Sequence, residues 1–93
     1  MSIEDIRMYN EKFKIVKILN RDGTEKEDDV SQKRIGRVVK MKNFYPGDRA
    51  FMECIFPSFM KSIITSEVQS FKYDASGLRF TTTNSIYILE RVI

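Results

Sequence analysis

Two short stretches, Thr65-Ser66-Glu67 and Thr83-Asn84-Ser85, set hydroxyls beside a carboxylate or an amide. Such hydroxyls become nucleophiles only when a neighbouring base takes the proton. Histidine is the usual base, and the chain has none, so Glu, Asp or Lys would have to serve at Ser66 or Ser85. The bland alternative is turn chemistry, with the same side chains bonding to nearby backbone. We weigh it well above catalysis. The single cysteine, Cys54, falls on the apolar row of the run Arg49–Phe56. A reactive thiolate wants an accessible, electropositive site, so Cys54 reads as a small core hydrophobe.

Glu25, Glu27, Asp28 and Asp29 bring carboxylates close together. They lack the central glycine and terminal bidentate glutamate of a calcium loop, so a solvated acidic loop over residues 24–32 is the expectation. The isolated glycines form no phosphate-cradling motif. The chemistry-bearing residues therefore predict no enzyme, no metal site and no cofactor.

Two other groups suit binding. Lys33, Arg34, Arg37, Lys40 and Lys42 place five cations in ten residues. With aromatic side chains nearby, such a run can track phosphates. On a continuous strand, however, Lys33 and Arg37 share one face and Arg34, Lys40 and Lys42 the other, so charge on a wet strand outweighs a nucleic-acid stripe. Phe44, Tyr45, Phe59 and Met60 lie in or beside turns. They form either a contact patch for a protein partner or plugs for the ends of a small barrel.

These residues need elements to hold them. Phe13–Leu19, Lys33–Met41, Arg49–Phe56, Ser62–Thr65, Val68–Tyr73, Leu78–Thr83 and Ile86–Val92 read as short strands, being alternating or rich in β-branched and aromatic residues. On Arg49–Phe56 the apolar row is Ala50, Met52, Cys54 and Phe56. Asn20-Arg21-Asp22-Gly23 and Asp74-Ala75-Ser76-Gly77 read as turns, and Tyr45-Pro46-Gly47-Asp48 as a type II turn. Residues 1–10 fit either a short helix or a frayed terminus. Many short strands with turns between them predict a mainly β fold. We expect a small SH3-like barrel of five to seven antiparallel strands, closed because closure removes exposed edges. Thr83-Asn84-Ser85 would make the corner before the last strand, and a two-residue Asn-Ser loop between Leu78–Thr83 and Ile86–Val92 would make a plain hairpin instead.

The 93 residues suffice for one domain, 1–93, with a core that needs no staples. A lone cysteine fits a reducing compartment. No apolar run approaches the ~20 residues that span a bilayer, and MSIEDIRMYN lacks the pattern of a signal peptide. A cytoplasmic protein without membrane contact is expected. The net charge of +3 is uneven, with −2 over residues 1–30 and +5 over 31–93. That excess favours an anionic partner without the density of a nucleic-acid-binding arm.

From Ile35 to Leu89 the chain resembles a loosely defined group of small, mostly uncharacterised proteins of Firmicutes and their mobile elements. The shared pieces are Ile35-Gly36-Arg37, the turn Pro46-Gly47, the "TSxV" of Thr65-Ser66-Glu67-Val68, and the "TxNSxYxL" of Thr82 to Leu89. The resemblance implies an SH3-like barrel and no established activity, and it brings no catalytic residues. By analogy alone it admits a host-interaction role, such as inhibition of a bacterial defence system.

The function expected from all of this is a non-catalytic binding module acting on a protein partner through Phe44, Tyr45, Phe59 and Met60. The alternative is a nucleic-acid-binding barrel using Lys33, Arg34, Arg37, Lys40 and Lys42. Homodimerisation by strand pairing is left open.

Overall fold

The computed structural model describes residues 7–92. Six strands, β1 (Lys12–Leu19), β2 (Val38–Asn43), β3 (Arg49–Phe56), β4 (Ile63–Asp74), β5 (Gly77–Thr82) and β6 (Ile86–Arg91), pair in chain order and close into a barrel. Every pairing is antiparallel, and β6 returns to β1 from Leu19↔Ile86 to Phe13↔Arg91. The mainly β fold and the strand number agree with the sequence expectation. One helix, α1 (Asp29–Arg34), lies between β1 and β2.

Alternation builds the core, and bulges correct it where the sequence pattern breaks. In β1, Phe13 and Ile15 point inward. A shift at Val16 then turns Ile18 inward and leaves Lys17 outside. Val39 and Met41 of β2, Ala50 and Met52 of β3, and Leu78 and Phe80 of β5 complete the packing. Phe80 stacks on Tyr87 with ring centroids 4.9 Å apart and meets Phe44 edge-on at 5.0 Å. Both geometries suit aromatic quadrupoles. Near the chain's start, Glu11 accepts from the Tyr73 hydroxyl and pairs with Arg91 Nε at 2.6 Å.

Five expectations change. Lys33–Met41 is not one strand: its first residues belong to α1, and β2 begins at Val38. The acidic loop 24–32 is thus half helix. The reason is a cap: Asp28 accepts from the Ser31 amide at 2.9 Å and from the Ser31 hydroxyl at 2.9 Å. Such a cap satisfies amide groups that a helix start leaves unpaired.

Ser62–Thr65 and Val68–Tyr73 are parts of one strand, β4. Its inner row runs Ile63, Thr65, Val68, changing parity at Ser66-Glu67, where β4 leaves β3 and joins β5. Phe56, expected inside, is 66% exposed, because a bulge sets Val38 opposite Phe56 but Val39 opposite Cys54. The stretch 82–85 is a plain hairpin between paired neighbours, not a corner, since Thr81↔Ile86 continues to Gly77↔Glu90. Thr82 Oγ1 holds it by accepting from Ser85 N at 3.0 Å and Asn84 N at 3.3 Å.

Two glycines are required by backbone geometry. Gly47 has φ of 93° in the expected turn, which the Asp48 amide closes onto Tyr45 O at 3.2 Å. At Gly77 a Cβ would lie 2.1 Å from Leu89 O, where β5 and β6 meet. Of the segment 1–10, residues 1–6 lie outside the described residues, while Arg7 and Met8 are helical and lead through a turn at residues 9–10 into β1. No helix among the described residues is long and apolar enough to cross a membrane.

A candidate contact face around helix α1

The structure divides the residues singled out for binding. Phe44 is only 4% exposed and packs edge-on against Phe71 at 5.2 Å and against Phe80. Its amide donates to the Tyr9 hydroxyl, and that hydroxyl donates back to Phe44 O, each at 2.9 Å. Phe44 is a barrel plug, and its place in a surface patch is withdrawn. Tyr45 is exposed on the turn beside it. Phe59 is 83% exposed in the β3–β4 loop, and Met60 beside it is half-buried. The loop turns back on itself through the Met60 amide, which donates to Pro57 O at 3.1 Å.

The basic cluster divides as well. Lys33, Arg34 and Arg37 border a cleft of about 360 Å³ together with Val30, Phe59, Met60, Lys61 and Ile63. Lys40 and Lys42 sit elsewhere, on the outside of β2. There Lys40 lies opposite both Lys12 and Glu53, and Lys42 reaches Glu53 at 3.6 Å. The five cations therefore form no single stripe, because α1 carries the first two out of the sheet. Half of the expected protein-contact patch and three of the five cations converge instead on one cleft.

Val30 and Arg34 are four residues apart on α1 and so share a face of the helix. They also line a second cleft, with Lys26, Asp28, Ile64, Ser66, Ser85 and Tyr87. Across the two clefts Phe59, Val30 (57% exposed) and Ile64 (52% exposed) offer apolar surface. Among the described residues Asp28 is the one carboxylate lining either cleft, and the Ser31 cap already occupies it. The donated bonds from Ser31 hold its carboxyl below the usual value. Against it stand Lys26, Lys33, Arg34, Arg37 and Lys61.

Both guanidinium groups are oriented before any ligand arrives. Arg37 Nε–H donates to Lys33 O at 2.9 Å, and its two terminal nitrogens have no hydrogen-bond partner among the described residues. Arg34 Nη1–H donates to the Tyr87 hydroxyl at 2.7 Å. Burial pushes the Tyr87 phenol above its ordinary value, with the Arg34 charge opposing, so the phenol stays neutral and accepts. Among the described residues no carboxylate forms an ion pair with Lys33, Arg34, Arg37 or Lys61.

The hydroxyls weighed as nucleophiles are occupied. Thr65 Oγ1 accepts from Ala50 N at 3.1 Å and donates to Ser66 O at 2.7 Å. Ser66 Oγ accepts from Asn84 N at 3.3 Å. Ser85 is 5% exposed and lies 2.7 Å from Lys26 Nζ, which also donates to Asn84 O at 3.3 Å. That pair has the spacing of a serine–lysine dyad, but the ammonium acts as a donor clamping the hairpin to the loop before α1. Cys54 is buried, with its thiol 3.4 Å from Pro57 O. Among the described residues no group of three or more His, Cys, Asp or Glu is placed to hold a metal ion.

Val30, Lys61, Ile64 and Lys26 were not anticipated. The readable signal was Asp28 three residues before Ser31, with Asp29 at the start and Lys33-Arg34 at the end of the same short segment. That is the charge order of a capped helix. No known family model matches the chain, and no curated protein or solved structure is similar to it.

Proposed function

We infer that the chain is a non-catalytic binding module, a small barrel of the SH3-like kind, that engages a protein partner through the face around α1. One observation carries this reading: Phe59, Met60 and Val30 share a single cleft with Lys33, Arg34 and Arg37, so apolar anchors and charged rim stand together. Interfaces of this make-up draw their energy from a few buried anchors, with the polar rim supplying orientation. The test is direct binding of a partner captured by the tagged chain and then purified. The double substitution Phe59→Ala with Met60→Ala should weaken its affinity by about tenfold or more, the effect of losing an anchor. Tyr45→Ala should leave it unchanged. Unchanged affinity for the double variant, or loss on Tyr45→Ala, would move the contact face elsewhere.

Nucleic acid is the second reading, favoured by the placing of an exposed ring beside cations. It differs in salt response: log affinity should fall with a slope of roughly −0.7 to −0.9 per phosphate contacted.

A further inference from the structure

We propose that the cleft between α1 and the β3–β4 loop takes an acidic linear peptide segment. An apolar side chain would seat on Val30, Phe59 and Met60, and flanking carboxylates would pair with Arg37, Lys33 and Lys61. This rests on the contact-face reading above and names the chemistry of the partner.

Charge complementarity fixes the occupant. Among the described residues the lining of this cleft holds four cations, Lys33, Arg34, Arg37 and Lys61, and no carboxylate. None of them is ion-paired among the described residues. Like charges gathered without counter-charge repel one another, and an arriving carboxylate relieves that repulsion. The Arg37 guanidinium, already held by Lys33 O, presents the two-pronged edge that matches a carboxylate. Because that edge is pre-oriented, less side-chain freedom is lost on binding.

Size and surroundings favour a peptide over a nucleic-acid strand. About 360 Å³ is near the lower end of ligand pockets, commonly ~300–1,000 Å³, and admits a side chain rather than a run of bases. Strand-binding proteins offer successive aromatic platforms. Among the described residues Phe59 is the one ring in the lining, beside Val30, Met60 and Ile63. The cationic surface also does not extend as a track. On β2, Lys42 is paired with Glu53, and Glu25 and Glu27 precede α1, which Asp29 begins.

The experiment is fluorescence anisotropy at low and at physiological salt. The probes are a labelled peptide with central Leu-Phe flanked by glutamates, its glutamine counterpart, its Ala-Ala counterpart and labelled oligo-dT. The acidic Leu-Phe peptide should bind at least about tenfold tighter than either counterpart, and Lys33→Glu or Lys61→Glu should each weaken it several-fold. Both substituted side chains are exposed, and unfolding midpoints verify that the variants fold. Equal binding of the glutamine counterpart, indifference to both charge reversals, or no binding at low salt would overturn the proposal. If the purified partner still depends on Phe59 while the acidic peptide fails, the contact face stands and its acidic chemistry falls. If oligo-dT binds more tightly and displaces the peptide, the cleft belongs to nucleic acid and the proposal is wrong.

Discussion

Phe44 and Phe59 occupy similar places in the sequence. Each stands two residues from a proline at one end of β2 or β3, in Phe44-Tyr45-Pro46 and Pro57-Ser58-Phe59. Yet one is 4% exposed and the other 83%. Phe44 follows a bulge near the end of β2 that turns it over the barrel mouth, where Phe71 and Phe80 wait and Tyr9 binds both of its backbone polar groups. Phe59 lies past the last inward residue of β3, Cys54, in a loop closed on itself. An aromatic beside a turn is therefore a plug when strands from across the barrel converge on it. It is a contact residue when none do.

The comparison can be broken most forcefully at the plug. Phe44→Ala should cost about 3–5 kcal/mol, the usual loss for a buried phenylalanine, read from the urea midpoint. A loss under about 1 kcal/mol would place Phe44 with Phe59. Tyr9→Phe sharpens the same end. It removes the hydroxyl that serves both backbone groups of Phe44 and should cost about 1–2 kcal/mol. A neutral result would mean water takes over both bonds.

Acid titration probes the other end. The Asp28 carboxyl is held low by the bonds from Ser31, so its cap supports α1 fully above the unfolded carboxylate value. That support is lost as pH falls below about 4, through the lower folded value. The protection of the Ser31 amide relative to its intrinsic exchange rate should fall over that window and stay constant across it in Asp28→Asn. The smallest effect belongs to Phe59→Ala, which should leave stability within about 0.5 kcal/mol, as for an exposed side chain without special contacts. A loss of several kcal/mol would make Phe59 a plug after all.

Much of the barrel was legible because strand signals are local. Arg49–Phe56 was bounded as it stands, and Ile86 onward was placed as the closing strand. The bulges were not legible. The sequence pattern put Phe56 inside, and only the register of β3 against β2 turns it out. Splitting β4 at Ser66-Glu67 had a similar cause: the interrupted alternation marks a change of partner within one strand.

Of the candidate site, the residue types were legible and their grouping was not. Phe59 and Met60 were paired with Phe44 by composition, and Lys33, Arg34 and Arg37 with Lys40 and Lys42 by adjacency. Burial broke the first grouping and α1 broke the second. Six residues cannot show a helical period clearly, so the helix was betrayed only by its cap and the order of its charges.

The most direct measurement is an amide chemical-shift map of the labelled protein titrated with the acidic Leu-Phe peptide. The expected result is a set of perturbations confined to residues 30–37 and 59–64, with 44–49 and the outside of β5 and β6 unmoved, and their disappearance in Phe59→Ala. Perturbations centred on the Tyr45 turn, or spread evenly over the lysines of β1 and β2, would contradict the assignment of α1 and the β3–β4 loop as the contact face.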